Sequence, residues 1–180
     1  LTVANNSISR VTFAFEDFAI GKAGEITLPI MIENLDGGMG ANIILSFDPD
    51  IVQVLDITGG DFNLPLYTLI ENDNGNAQHA VLNFPAGLSG DVVFANVTLE
   101  AIGEGGDTSP LDLEVVSLTD GVDEITHEVD NGTFTVLNTI VSIEDVALGA
   151  GETTTVPIMI ENLDGGMGAN IVLSFDPDVV

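Results

Sequence analysis

Apolar and polar residues alternate, or β-branched apolar residues run on for a strand's length, at residues 26–33, 41–47, 52–57, 80–84 and 92–102. A period of two over such short runs predicts strands that turn alternate side chains toward a core. Between the runs stand Leu35-Asp36-Gly37-Gly38, Asp48-Pro49-Asp50, Asp73-Asn74-Gly75-Asn76, Gly103-Glu104-Gly105-Gly106 and Asp130-Asn131-Gly132. Each is rich in residues that accept φ > 0 or bond their own backbone, so each predicts a turn. No segment joins helical caps to a 3.6-residue period. Short strands at regular spacing without helices predict an all-β sandwich or jelly roll, with apolar alternate positions facing between two sheets.

The chain also repeats itself. Residues 29–52 and 157–180 differ only at Ile44 against Val172 and Ile51 against Val179, an offset of 128 residues. Upstream, Glu16-Asp17-Phe18-Ala19-Ile20-Gly21 faces Glu144-Asp145-Val146-Ala147-Leu148-Gly149, and Ala23-Gly24-Glu25 then faces Ala150-Gly151-Glu152 with one residue of slippage. Leu1-Thr2-Val3-Ala4-Asn5 echoes Phe134-Thr135-Val136-Leu137-Asn138. A period of about 128 residues therefore divides the chain into three. Residues 1–7 are the closing strand of a preceding repeat with its linker, 8–138 a complete sandwich, and 139–180 the opening strands of the next. An opening third alone leaves sheet edges and an apolar face uncovered. A longer periodic polypeptide would complete it; strand exchange between chains is the other route, but residues 1–5 cannot supply the missing middle.

The order of motifs resembles that of cohesin domains. Its carriers are the Gly-x-x-Gly of Gly21 and Gly24, the strand Ile26-Thr27-Leu28-Pro29-Ile30-Met31-Ile32, and the stretch from Met39 through Phe47-Asp48-Pro49-Asp50 to Val54. Val93-Phe94-Ala95-Asn96-Val97-Thr98-Leu99-Glu100-Ala101 is similar to the family's long late strand, and Asp130-Asn131-Gly132-Thr133-Phe134-Thr135-Val136 to its glycine-led closing strand. The resemblance implies a jelly-roll β-sandwich, Ig-like in build, of the kind that binds dockerin modules in bacterial scaffolding proteins and recurs in archaeal surface proteins.

Charge narrows the function. The chain has 29 Asp and Glu against Arg10 and Lys22 alone, a net charge of -27. Phosphate contacts need clustered cations, so nucleic-acid binding is excluded. An anionic membrane surface repels such a chain, and no apolar run approaches the roughly 20 residues of a spanning helix. Cysteine is absent, which removes disulfides and thiol chemistry together. His79 and His127 are the only histidines; both are expected as solvated surface residues. No Ser, His and Asp arrangement has catalytic context. We therefore expect no enzyme and no organic cofactor.

Calcium is the ligand that acidic turns would suit, through hard oxygen donors. The candidate ligands are Asp73 in Glu71-Asn72-Asp73-Asn74-Gly75-Asn76, and Asp120, Asp123 and Glu124 in Asp120-Gly121-Val122-Asp123-Glu124. Asp36 and Asp48 join them as positions that recur in the repeat. The same residues form Asx turns without any metal, and that second reading stays open. Asn5, Asn96 and Asn131 head N-x-Ser/Thr sequons and are candidate glycosylation sites of an exported protein.

These features together predict an extracellular or cell-surface structural or adhesive protein. Its tandem sandwiches would build a filament, fibre or coat, with neighbouring repeats or chains of the same protein as partners. The alternative is a cohesin module that receives dockerin-bearing proteins.

Overall fold

The computed structural model describes residues 10–163, 168–174 and 176. Among the described residues thirteen strands form in chain order: β1 (Val11–Ala14), β2 (Phe18–Gly21), β3 (Glu25–Gly38), β4 (Gly40–Ser46), β5 (Val52–Gly59), β6 (Leu64–Glu71), β7 (Asn76–Leu82), β8 (Leu88–Ala101), β9 (Thr108–Thr119), β10 (His127–Asp130), β11 (Gly132–Leu137), β12 (Ile140–Ile143) and β13 (Ile158–Glu161). The first eleven make two sheets, of order β10-β1-β3-β8-β5 and β2-β11-β9-β4-β7-β6. This is the expected all-β jelly-roll sandwich. β12 and β13 pair separately as an antiparallel hairpin.

Alternation places the core. On β4, Ala41, Ile43 and Leu45 are buried while Asn42, Ile44 and Ser46 between them are partly exposed. Phe13, Ile30, Ile32, Phe94, Leu99, Leu111 and Phe134 reach into the space between the sheets and are fully buried. Phe94 packs edge-to-face on Phe13 at 5.9 Å and on Phe62 at 6.1 Å. Each such burial contributes about 1.5–3 kcal/mol of hydrophobic transfer.

The opening of the chain ties the layers together. β1 runs parallel to β10 in one sheet, and β2 runs parallel to β11 in the other. The crossing at residues 15–17 presses against Gly132, where an added Cβ would lie 2.6 Å from the Phe15 and Glu16 carbonyl oxygens. Glycine is the only residue that fits there.

Three expectations need correction. Leu35-Asp36-Gly37-Gly38 is no free turn: β3 continues to Gly38 through register irregularities at Ile32/Leu35 and Leu35/Gly38, and the chain changes sheets at Met39. The bulges arise where Asn34 adopts φ 54°, its backbone N–H donating to Asp91 Oδ1 at 3.0 Å. The residue of slippage in the repeat is absent from the backbone. Ala23 (φ 62°) and Gly151 (φ 84°) stand 128 residues apart, as do the turn bonds Gly24 N–H to Gly21 O and Glu152 N–H to Gly149 O, both 3.0 Å. Finally, the histidines are not solvated: His79 is 1% exposed and His127 is half-buried, its ring edge-to-face with Phe13 at 5.9 Å.

Candidate binding face

The two outer faces of the sandwich differ in chemistry. On the five-stranded sheet the outward positions of β3, β5 and β8 include Thr27, Gln53, Thr58, Asn96, Thr98 and Glu100. Thr27 and Thr98 bond hydroxyl to hydroxyl at 2.9 Å. The exposed large apolar residues of that sheet, Leu55 at 41% and Val129 at 38%, stand singly on its two edge strands β5 and β10.

The six-stranded sheet presents apolar surface on its β6–β7 side. β6 is an edge strand, and the sequence Leu64-Pro65-Leu66-Tyr67-Thr68-Leu69 places large side chains on it without strict alternation. Leu64 is 47% exposed, Leu66 53%, Tyr67 43% and Leu69 48%. Together they form an exposed apolar cluster along the sheet edge, where monomeric surfaces more often scatter such residues singly. Pro65 and the register irregularity between Pro65 and Tyr67 blunt this edge against pairing with another strand. The side chains, rather than the strand edge, are what β6 offers.

A polar lattice fixes the face. Tyr67 lies opposite Ala80 and reaches across β7, its hydroxyl 3.4 Å from Asn42 Oδ1 on β4. Gln78 Nε2 donates to the same oxygen at 3.1 Å. Ser46 Oγ donates to Asn76 Oδ1 at 2.9 Å. Beside these lies a shallow depression of about 270 Å³ lined by Ile44, Ser46, Leu69, Glu71, Gln78 and Glu114. Its floor is aliphatic and amide, and its rim carries the carboxylates Glu71 and Glu114. The chain's two cations are engaged elsewhere, Arg10 with Glu128 and Lys22 with Glu104 at 2.6 Å. The rim is therefore anionic, and a partner that covers it needs apolar anchors beside Lys or Arg.

Beneath the face lies His79, on the inward side of β7 opposite Thr68 of β6. Its Nδ1 bonds Thr68 Oγ1 at 2.8 Å, its ring meets Phe94 edge-to-face at 5.6 Å, and its buried Nε2 has no hydrogen-bond partner among the described residues. Desolvation by burial lowers its pKa.

The candidate calcium ligands occupy separate places. Asp120, Asp123 and Glu124 share the loop after β9, where Asp120 Oδ1 accepts from Val122 N–H at 2.8 Å and Asp123 N–H at 2.7 Å. The Asp123 and Val122 amides hold the Asp120 carboxyl below the usual carboxylate range. Asp48 Oδ1 accepts from Asp50 N–H at 3.0 Å, an Asx turn. Asp73 lies in the 3-10 turn Asn72–Asn74 and Asp36 on the bulged end of β3, both exposed. Among the described residues no three His, Asp or Glu form a group that could hold a metal ion.

Of the sequon asparagines, Asn96 is half-buried and donates to Gly59 O at 3.3 Å. Asn131 is exposed but bridges β9, accepting from Leu113 N–H at 2.9 Å and donating to Asp112 Oδ1 at 3.1 Å. Asn5 lies outside the described residues.

Comparison with known proteins places the fold. No family model matches the chain. It is 29% identical over 192 aligned positions to Cellulose-binding protein A of Clostridium cellulovorans, covering 98% of this chain and 10% of that protein. The chain thus spans about a tenth of the length of the curated relative it matches. Among solved structures it is similar to a non-cellulosomal cohesin from Archaeoglobus fulgidus, with TM-score 0.63 and 20% identity over 72% of this chain and 93% of that one. It is similar also to the third ScaC cohesin of Acetivibrio cellulolyticus in complex with the ScaB dockerin, with TM-score 0.62 and 21% identity over 71% and 99%. A type I cohesin–dockerin complex from Clostridium thermocellum gives TM-score 0.64 and 14% identity over 72% and 100%. The sandwich is the cohesin fold.

Proposed function

We propose, on the premise of a cohesin-fold sandwich, that this chain carries an extracellular binding module, not an enzyme, and that it takes a dockerin-like partner on the outer face of the six-stranded sheet. The observation that carries the reading is the asymmetry of the two faces: a mainly polar five-stranded face with isolated apolar residues against an apolar cluster on β6 beside Glu71 and Glu114. An amphipathic module with aliphatic anchors and flanking Lys or Arg complements that chemistry. Buried aromatic and aliphatic anchors near the middle of an interface carry most of its free energy.

The test is calorimetric titration of the 180-residue chain with a panel of dockerins, the ScaB dockerin of Acetivibrio cellulolyticus among them. Leu69→Asp sets a carboxylate beside Glu71 and removes an anchor, and should weaken binding by about 2 kcal/mol, roughly 30-fold. Thr27→Asp, on the opposite sheet, should leave affinity within twofold. Equal loss from both substitutions, or no binding across the panel, would count against the face.

The internal duplication favours a second role beside the first. Sandwiches repeated along one polypeptide would present the face many times and build a filament or surface coat. Electron microscopy of the native protein would test it by the presence or absence of filaments with a one-domain axial repeat.

A further inference from the structure

Among the described residues β6 has a strand neighbour on one side only. It closes the six-stranded sheet against β7, and the step in register from Pro65↔Val81 to Tyr67↔Ala80 leaves Leu66 as an extra residue. Both ends of the strand are clamped. Before it, Asn63 Nδ2 donates to Phe84 O at 2.8 Å and Phe84 N–H donates back to Asn63 Oδ1 at 3.2 Å. After it, Asn72 Nδ2 donates to Val54 O at 3.0 Å and Val54 N–H donates to Asn72 Oδ1 at 2.9 Å, which fastens the turn to β5 of the other sheet. Between the clamps, the bond of Thr68 Oγ1 with His79 Nδ1 joins β6 to the core, while that of the Tyr67 hydroxyl runs over the outer face.

That inner bond stands on a boundary. Thr68 is exposed, whereas His79 is buried. Ile43 opposite the histidine on β4, Ala77 and Val81 on either side of it along β7, and Phe94 of β8 are all buried and apolar. β4 and β7 hold no other titratable residue. Those of β5, β6 and β8 are Asp56, Tyr67, Glu71, Asp91 and Glu100, and all are exposed or partly exposed. Asp56 Oδ1 accepts from Ile57 N–H at 2.9 Å, and Glu71 rims the depression on the outer face. The neutral ring needs little beyond the Thr68 bond. A second proton, on Nε2, puts a cation in apolar surroundings, with neither a carboxylate nor an acceptor among the described residues to meet it. Displacing the middle of β6 brings water to the ring and removes that penalty.

We infer that His79 is a pH-sensitive latch on the middle of β6: the neutral ring holds Thr68 and its strand against the core, and the protonated ring is accommodated only with residues 66–70 raised from β7. Protons therefore favour the open strand. The clamps at Asn63 and Asn72 keep the opening local, and the extra residue Leu66 supplies the slack. Because Leu64, Leu66, Tyr67 and Leu69 ride on this strand, a partner seated on them would hold the latch shut and oppose protonation, by reciprocal linkage. That last step rests on the proposed binding face; the latch itself does not.

Amide hydrogen exchange of the 180-residue chain without any partner tests the latch at about pH 7.5 and about pH 5.5, each corrected for intrinsic exchange rates. Opening of residues 66–70 should rise up to about tenfold between the two, the ratio set by a wetted imidazole with a pKa of about 6.5. Residues 92–99 of β8 should keep their protection. In His79→Leu the opening of residues 66–70 should be the same at both pH values. Thr68→Val keeps the ring and loses the bond, so it should open the strand at both pH values and retain the ratio. An equal rise in the wild type and in His79→Leu, or an equal rise at 66–70 and 92–99, would overturn the inference. So would a His79 imidazole resonance of the wild type that titrates near pH 6.5 while residues 66–70 stay protected, a readout independent of how well the variants fold. Dockerin binding enters none of these readouts, so failure of the latch and failure of the binding face are told apart.

Discussion

Replacing His79 by Leu isolates the ionisable group buried in the core. The ring packs among Phe94 of β8, Thr68 of β6 and the β4 neighbour Ile43. Thr68 Oγ1 can accept a hydrogen bond from Nδ1–H, but a protonated Nε2 would have no acceptor among the described residues. The folded protein therefore resists protonation, and burial lowers the pKa from 6.5. The sign follows: the unfolded chain binds the proton first, so the stability is fully present above about pH 6.5 and declines as pH falls toward the folded value. One proton corresponds to at most about 1.4 kcal/mol per pH unit. Because the unfolded group is half protonated at pH 6.5, the loss between pH 6.5 and 5.5 is at most about 1.0 kcal/mol, and the urea midpoint of the wild type should fall by up to roughly 0.5 M, taking a slope of about 2 kcal/mol/M. His79→Leu should remove most of that fall while keeping His127 and every carboxylate. Parallel midpoints for the two proteins across the interval would refute the reasoning.

Phe94→Ala should cost about 3–5 kcal/mol in urea unfolding, since Phe94 is fully buried and its ring touches Phe13, Phe62 and His79; a loss under about 1 kcal/mol would mean that the sandwich interior can collapse around the cavity. Calcium and chelator at matched ionic strength should give coincident thermal midpoints, because among the described residues no three carboxylates converge and backbone amides hold Oδ1 of Asp48 and of Asp120 in turns; a saturable rise with calcium would establish a bound ion.

Much of the sandwich was legible because alternation at 41–47 and the apolar run at 92–102 reflect burial that β4 and β8 experience. The Gly-rich stretch 35–38 misled because the same residues that make turns also make bulges, and only the register against Leu88 and Gly90 tells them apart. His79 was visible in principle: Ala77, His79 and Val81 share one phase of β7, and that phase points inward. Composition argued for the surface, and tertiary context reversed it. The proposed binding face was hidden for a different reason. Leu64, Leu66, Tyr67 and Leu69 surround a proline and break alternation, so no strand rule identifies them, and their bearing on Ile44 and Glu114 exists only once β4, β7 and β9 lie side by side. The acidic turns stood out strongly in the sequence, but charge density says nothing about convergence in space.

The measurement that bears most directly on the account is the hydrogen-exchange footprint of the full chain with and without a dockerin that it binds. The account predicts added protection along β6, β7 and the β4–β9 pair, centred on residues 66–71 and 76–80, and none on β3, β5 and β8. Protection falling on the five-stranded sheet instead would contradict it.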